Sequence, residues 1–170
     1  MLLAITRPDE STRLEAVNRL GLLDNSKSDK RLDDLTKEAT VKLSVPISTL
    51  TVLDANKEHY RSCQGLDAVE GERSISFCGH ALFSSELMII PDCKRDERFS
   101  DNPMVTGKPF IRFYAGMGLL DYMTKQPVAV FCVKDTKPRK FSLKELEIFL
   151  SLASRAEQII NGVSDQGLTE

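Results

Sequence analysis

The sequence predicts an α+β fold built on a central antiparallel sheet. Three observations carry that reading. Apolar stripes of helical period stand near both ends of the chain, β-branched segments between them neighbour one another across turn residues, and strands do not alternate regularly with helices as a parallel sheet requires.

Over residues 6–20, Asp9 and Glu10 favour a helix N-terminus, Leu14, Val17 and Leu20 supply a stripe, and Gly21 can end it. A second helix follows Ser28 and Asp29, with Leu32, Leu35, Ala39 and Leu43 on one side and Pro46 forbidding continuation. The period then switches. Residues 47–53 are rich in β-branched side chains, and after Asp54, Ala55 and Asn56 residues 58–63 alternate imperfectly, which together read as a hairpin. In residues 74–82, Phe77 with Ala81 and Cys78 with Leu82 are i,i+4 pairs behind serines able to cap them, predicting a helix of two to three turns. Met88, Ile89 and Ile90 before Pro91 read as a short strand. Residues 92–109, dense in charge, Asn, Pro and Gly, read as a long loop with one turn near Glu97, Arg98 and Phe99. Such segments in compact domains commonly carry binding function. Residues 112–120 and 128–134 return to strand character and are expected to pair. The last helix has a capping box in Ser142 and Glu145, with Phe141 and Leu146 placed as a hydrophobic staple. Leu146, Phe149, Leu150, Ala153, Ala156 and Ile160 make the stripe that should meet the sheet. Ile148, Leu152 and Ile159 make a thinner one with no evident partner in the chain, which motivates the expectation of a homodimer through the terminal helices.

At 170 residues, 41% hydrophobic and 28% charged, the chain has the composition of one ordinary folded domain. Residues 1–163 are read as that domain and 164–170 as a flexible tail. Twenty-three Lys and Arg against twenty-five Asp and Glu give no positive excess to draw the chain to phosphates, so nucleic acid is not an expected partner. Cys63, Cys78, Cys93 and Cys132 include no CxxC and no pair close in sequence, and with only His59 and His80 to join them a structural zinc site is not expected. Met1 to Ile5 is too short for a signal peptide, and no apolar run approaches the ~20 residues that span a bilayer. A cytoplasmic protein with reduced thiols and no membrane contact is the expectation.

The most distinctive words are Ser76-Phe77-Cys78-Gly79-His80-Ala81, Asp96-Glu97-Arg98-Phe99-Ser100-Asp101-Asn102-Pro103 and Ile111-Arg112-Phe113-Tyr114-Ala115-Gly116, with Val45-Pro46-Ile47 and Leu53-Asp54 around the first strand. In this order the segments resemble bacterial GAF domains, over nearly the whole chain. The resemblance implies a PAS-like arrangement: a central antiparallel sheet, the first and last helices on one face, and the short helix with the long loop roofing a cup on the other. It also implies a sensory or signalling role without naming a ligand, since fold alone does not fix function. One departure stands out. Where relatives carry glycines in the strand before the last helix, this chain has Gln126 to Asp135 with the bulky Phe131, expected to narrow a pocket that the strand lines.

The residues expected to contact a small molecule between the sheet and residues 76–112 are Phe77, His80, Asp92, Arg98, Phe99, Asn102, Arg112 and Tyr114. Each has a plainer reading beside it. Asp101 and Asn102 can satisfy the turn before Pro103, Arg98 and Arg112 can knit the loop to the sheet through carboxylates, Asp92 can cap, and Phe77, Phe99 and Tyr114 can be core. An arginine facing a pocket would favour an anionic ligand. Cys78 is read as a buried small hydrophobe. No catalytic residue and no cofactor are assigned. Bilin attachment lacks its Cys-His dipeptide, and haem lacks an axial candidate beyond His80 and His59. Two alternatives remain: a ligand-free interaction module whose pocket is filled by Phe131, and a free methionine-R-sulfoxide reductase, whose cysteine spacing is absent here. The residues outside the resemblance hold no output segment, so an output protein in trans or a longer parent chain is expected. The central expectation is that no bond is made or broken in the cup. Two sulfurs poised against each other there would contradict it.

Overall fold

The structure is a computed structural model that describes residues 1–24, 26, 28–84 and 86–163. The predicted tail, 164–170, lies outside the described residues. Helices α1 (Glu10–Arg19) and α2 (Lys30–Lys42) precede strands β1 (Ile47–Leu53), β2 (Lys57–Gln64) and β3 (Glu70–Glu72). A 3₁₀ turn at Arg73–Ile75 leads into α3 (Phe77–Ala81), and β4 (Met88–Ile90), α4 (Pro103–Thr106), β5 (Phe113–Leu120), β6 (Pro127–Asp135) and α5 (Leu143–Ile160) complete the order. The six strands form one sheet in the order β3-β2-β1-β6-β5-β4, with every pair antiparallel. The predicted fold class therefore holds.

Local chemistry accounts for most element ends. The Asp29 carboxylate accepts from the Arg31 amide at 3.0 Å and starts α2. Ser142 and Glu145 close the capping box of α5, each side chain bonded to the other's amide at 3.1 and 2.7 Å. Helix α3 is shorter than expected, because Gly79 lowers its helical propensity and the chain turns immediately after Ala81. Strand β3, Glu-Gly-Glu, carries no apolar alternation for a sequence reading to find. It is held by its ladder to β2, with the Lys57 ammonium bonded to Glu70.

Alternation along the strands sorts side chains into two layers. On one face Leu50, Val52, Phe113, Ala115, Phe131 and Val133 meet α1, α2 and α5. On the other, Ile47, Leu53, Tyr114, Val130 and Cys132 meet α3 and the long loop. This placement overturns the expectation for Phe131. Its ring packs on Phe149 of α5 at 5.2 Å, on the helical side, so it neither narrows nor fills the cup. The stripe of Ile148, Leu152 and Ile159 is also corrected. Leu152 is core, Ile148 and Ile159 pack against that same core, and α2 lies alongside α5, so the stripe has its partner within the chain.

A bulge in β2 explains the imperfect alternation read there. Leu50 pairs with Ser62 but Thr51 with Tyr60, so Arg61 is the extra residue. Ser62 thereby meets Thr36 of α2 at 2.8 Å on the helical side, while Glu58 and Tyr60 turn to the cup. Helix α1 is tied to the sheet by charge. Arg13, fully buried, donates to the carbonyls of Leu53 (2.8 Å) and Pro127 (3.4 Å) and pairs with Glu10, which also accepts from Arg73.

Candidate functional site

The cup between sheet and roof is filled by aromatic rings. Phe77 of α3 stacks on Phe99 of the long loop with centroids 4.4 Å apart and 9° between planes, and on Tyr114 of β5 at 5.2 Å. All three are fully buried. Two glycines of β5 make room. A Cβ on Gly116 would meet the Tyr114 hydroxyl at 2.1 Å, and one on Gly118 would meet the Leu82 carbonyl at 2.7 Å. Without them neither the tyrosine ring nor α3 could lie so close to the strand.

Beside this stack lies a polar cluster that the sequence reading did not single out. Tyr60 donates to Glu58 at 2.8 Å, the Ser76 hydroxyl donates to the other oxygen of the same carboxylate, and Ser76 also caps α3 at the Gly79 amide, 3.1 Å away. Lys134 of β6 is 1% exposed, and its ammonium lies 5.8 Å from the centroid of the Tyr60 ring. Burial of an ammonium is costly unless opposite charge compensates it. Here desolvation would lower its pKa, yet the negative charge of the Cys132 thiolate and the Glu58 carboxylate outweighs it and holds it above the ordinary lysine value.

The sulfurs of Cys78 and Cys132 are 3.7 Å apart in this cluster. Cys78 also accepts from the Tyr114 hydroxyl at 3.3 Å, and Cys132 lies 3.0 Å from the Thr49 hydroxyl. The two thiols are driven in opposite directions. Burial raises Cys78, and its contact with Cys132 raises it further. Burial alone would raise Cys132 too, but the Cys78 S–H, the Lys134 ammonium and the Thr49 hydroxyl together bring it below the ordinary thiol value. Two sulfurs in contact inside the cup are the observation named as contradicting the expectation that no bond is made or broken there, so for this pair that expectation no longer stands. Strands β1 and β6 are covered on both faces, so their alternation gave no cue to which residues share the cup. Cys93 behaves otherwise: burial, with Asp96 and Asp92 nearby, pushes it up to about 12.

The mouth of the roof is crossed by the first residues of the chain. The Leu2 amide donates to the Arg98 carbonyl at 3.1 Å, the Ala4 amide donates to the Ser74 carbonyl at 2.9 Å, and His80 Nε2 donates to the Leu2 carbonyl at 3.0 Å. Between this segment, α3 and the start of β4 opens a cavity of about 720 Å³, walled by Leu2, Leu3, Ile5, Phe83, Leu87 and Met88 with Arg7, Glu86, His80 and Arg98 as its charged or ring-nitrogen groups. Burial lowers the His80 pKa, leaving the imidazole neutral near pH 7. Arg98 holds Asp96 by two bonds of 3.0 and 2.7 Å, lies over the Phe99 ring, and lowers the Asp96 pKa.

The predicted residues therefore do not line one pocket. Phe77, Phe99 and Tyr114 are packing, and His80 and Arg98 line the cavity at the mouth. Asp92 and Arg112 pair bidentately, 2.9 Å for each bond, on a separate open groove of about 610 Å³ shared with Arg95, Arg139 and Lys140. Asn102 is a clamp: its carbonyl oxygen caps α4 at the Met104 amide (2.9 Å) and its amide donates to the Ile75 carbonyl at 2.8 Å. Among the described residues no group of three or more His, Cys, Asp or Glu is placed to hold a metal ion, and no helix is long and apolar enough to cross a membrane.

The family profile described as GAF domain matches residues 28–160. Over 131 residues the chain is 35% identical to a cyclic di-GMP phosphodiesterase of Pseudomonas aeruginosa, covering 77% of this chain and 22% of that protein, so it spans only about a fifth of that relative's length. Among solved structures, the GAF domain of an Acinetobacter phosphoenolpyruvate-protein phosphotransferase superposes with a TM-score of 0.64 at 17% identity, over 94% of this chain and 97% of that one. The free methionine-R-sulfoxide reductase of Neisseria meningitidis, solved with its substrate, gives 0.61 at 13% identity over 99% of both chains. At such identities the likeness is one of fold.

Proposed function

The chain belongs to the GAF domain family, a family of sensory and signalling domains, and from that premise we propose that it is a regulatory module without substrate turnover, which binds a small molecule at the mouth of the roof. The observation that carries the reading is the cavity of about 720 Å³ beneath the N-terminal segment, a size typical of ligand sites, with apolar walls and Arg7, Glu86, His80 and Arg98 to orient a ligand. His80 bonded to Leu2 links occupancy of that cavity to the segment leading into α1. A ligand shifts such an arrangement only by binding one state of the segment better than another. Relatedness to a cyclic di-GMP phosphodiesterase supports an output in cyclic di-GMP turnover, exerted on a catalytic partner. Homodimerisation through the terminal helices belongs to the same proposal. Its support now rests on Leu143 and Leu150, exposed one heptad apart at α5, and analytical sedimentation showing only monomer at high concentration would remove it.

Thermal unfolding with a panel of small metabolites, cyclic di-GMP among them, tests the binding reading. A ligand at 100 times its Kd adds about 2.7 kcal/mol, roughly 5–10 °C at this chain length. Leu3→Arg, which places a charge on the cavity wall, should abolish the shift. No stabilisation by any compound would favour the ligand-free interaction module. The reductase alternative gains one observation, the adjacent sulfurs of Cys78 and Cys132. Against it, both sulfurs are fully buried beneath Tyr114, Thr49 and the aromatic stack, whereas an attacking thiolate must meet its substrate. Methionine release from free methionine sulfoxide with a thiol reductant would establish turnover; its absence is the expected result.

A further inference from the structure

Three features of the cup bear on its thiols: the sulfurs of Cys78 and Cys132 touch at 3.7 Å, Lys134 buries an ammonium in the same cluster, and α3 joins Cys78 to the N-terminal segment through Gly79 and His80. We propose that Cys78 and Cys132 are a redox-sensing pair that a small hydroperoxide converts to a disulfide, changing the hold of α3 on the N-terminal segment. The inference deepens the sensory reading by naming a class of signal, and rests on that reading only for its consequence; the thiol chemistry stands whether or not the cavity takes a ligand.

The roles of the two sulfurs follow from their surroundings. Cys132 accepts from the Cys78 S–H and the Thr49 hydroxyl and faces Lys134, an environment that favours its thiolate, the reactive form. Cys78, kept protonated, is the resolving thiol. In the first step the Cys132 sulfur attacks the terminal peroxide oxygen. An S–O bond forms, the O–O bond breaks, the sulfur gives up two electrons to become a sulfenic acid, and the alkoxide or hydroxide that leaves takes a proton. In the second, the Cys78 sulfur displaces that oxygen: the S–S bond forms, the S–O bond breaks, and the departing hydroxide takes the Cys78 proton as water. Two thiols and one hydroperoxide thus give a disulfide, an alcohol or water, and one further water.

Cys63 and Cys93 do not share this chemistry. Burial raises both: at Cys63 it outweighs the attraction of Lys134, at Cys93 Asp96 and Asp92 add to it, and neither sulfur touches a second sulfur as Cys132 does. The aromatic layer of Phe77, Phe99 and Tyr114 screens the pair from bulky reagents, so the sensor selects small oxidants over glutathione disulfide. Closing the bond draws the first turn of α3 toward β6. Gly79 faces Ala4 so closely that a Cβ would meet the Ala4 methyl at 2.7 Å, and His80 holds the Leu2 carbonyl, so displacement of that turn reaches residues 2–4.

The test is peptide mass mapping of the folded chain after brief exposure to hydrogen peroxide, with free thiols alkylated under denaturing conditions. The expected result is loss of two of the four thiols, a Cys78–Cys132 cross-linked peptide reversed by dithiothreitol, and faster hydrogen exchange in residues 2–4. The Cys63→Ser/Cys93→Ser variant should cross-link as the parent does. Cys78→Ser should stop at a Cys132 sulfenic acid, which dimedone traps once the peroxide is removed and the chain is unfolded in its presence. Four free thiols after peroxide, a cross-link through Cys63 or Cys93, or unchanged exchange at residues 2–4 despite the cross-link would overturn the proposal. A compound that stabilises the chain while peroxide leaves all thiols free would remove this inference and keep the ligand reading. A cross-link in a chain that no compound stabilises would do the reverse.

Discussion

Replacing Phe99 by alanine tests whether the cup is packed or open. The ring is fully buried, stacks on Phe77 at 4.4 Å, receives the edge of His80 at 4.8 Å, and lies under the Arg98 guanidinium at 5.3 Å. Truncating a core phenylalanine costs about 3–5 kcal/mol, from lost transfer energy and the cavity left behind. The upper half applies here, because a stacked partner adds roughly 0.5–1.5 kcal/mol beyond area burial. Urea denaturation at neutral pH should show that loss in midpoint with an unchanged slope, and thermal unfolding a fall of roughly 8–20 °C. The space created is apolar and enclosed, so benzene should raise the variant's midpoint and leave the parent's unmoved. A loss below about 1 kcal/mol, well under the core range, would mean that the ring lines an open pocket, and the account of a filled cup would be wrong.

Lys134→Met keeps the volume of the side chain and removes the ammonium that opposes burial at Cys132, so the Cys132 thiol should titrate at higher pH, read from ultraviolet thiolate absorbance; an unchanged titration would separate Lys134 from the thiol pair. Glu10→Gln leaves the buried guanidiniums of Arg13 and Arg73 facing a neutral amide and should cost about 3–5 kcal/mol in urea denaturation. Asp121, buried and bonded by Arg19 and Thr124, is held down to about 2 from an ordinary 3.8. A folded-state pKa below the unfolded one gives stability that is complete above about 4 and is lost as pH falls through about 2. Asp121→Asn should therefore lower stability by on the order of 1–2 kcal/mol at pH 7, a figure reduced for the exposure of Arg19, and the gap to the parent should shrink toward pH 2. A pH-independent gap would show that the loss comes from packing instead.

Much of the framework was legible because it is written in local chemistry. The capping box of Ser142 and Glu145, the Asn102 cap before Pro103 and the hairpin of β5 with β6 depend on residues close in sequence. Long-range facing was not legible. In β6 both faces are covered, so Phe131 and Cys132 sit in one continuous buried run, and only the sheet register assigns Phe131 to α5 and Cys132 to the cup. In β2 a single extra residue, Arg61, reverses the faces of Glu58 and Tyr60, and no periodicity argument locates a bulge. The site residues divide the same way. Asn102, Asp92 and Arg112 took the structural roles weighed for them, whereas the contact of Cys78 with Cys132 joins residues 54 positions apart and has no local signature.

Whether the cavity beneath residues 2–5 is a receptor site can be read from the mass of the native chain. Native mass spectrometry of the freshly purified protein should find one small molecule bound per chain, released on unfolding and missing from Leu3→Arg. A bare chain in the parent, still bare after incubation with a metabolite extract, would contradict the account.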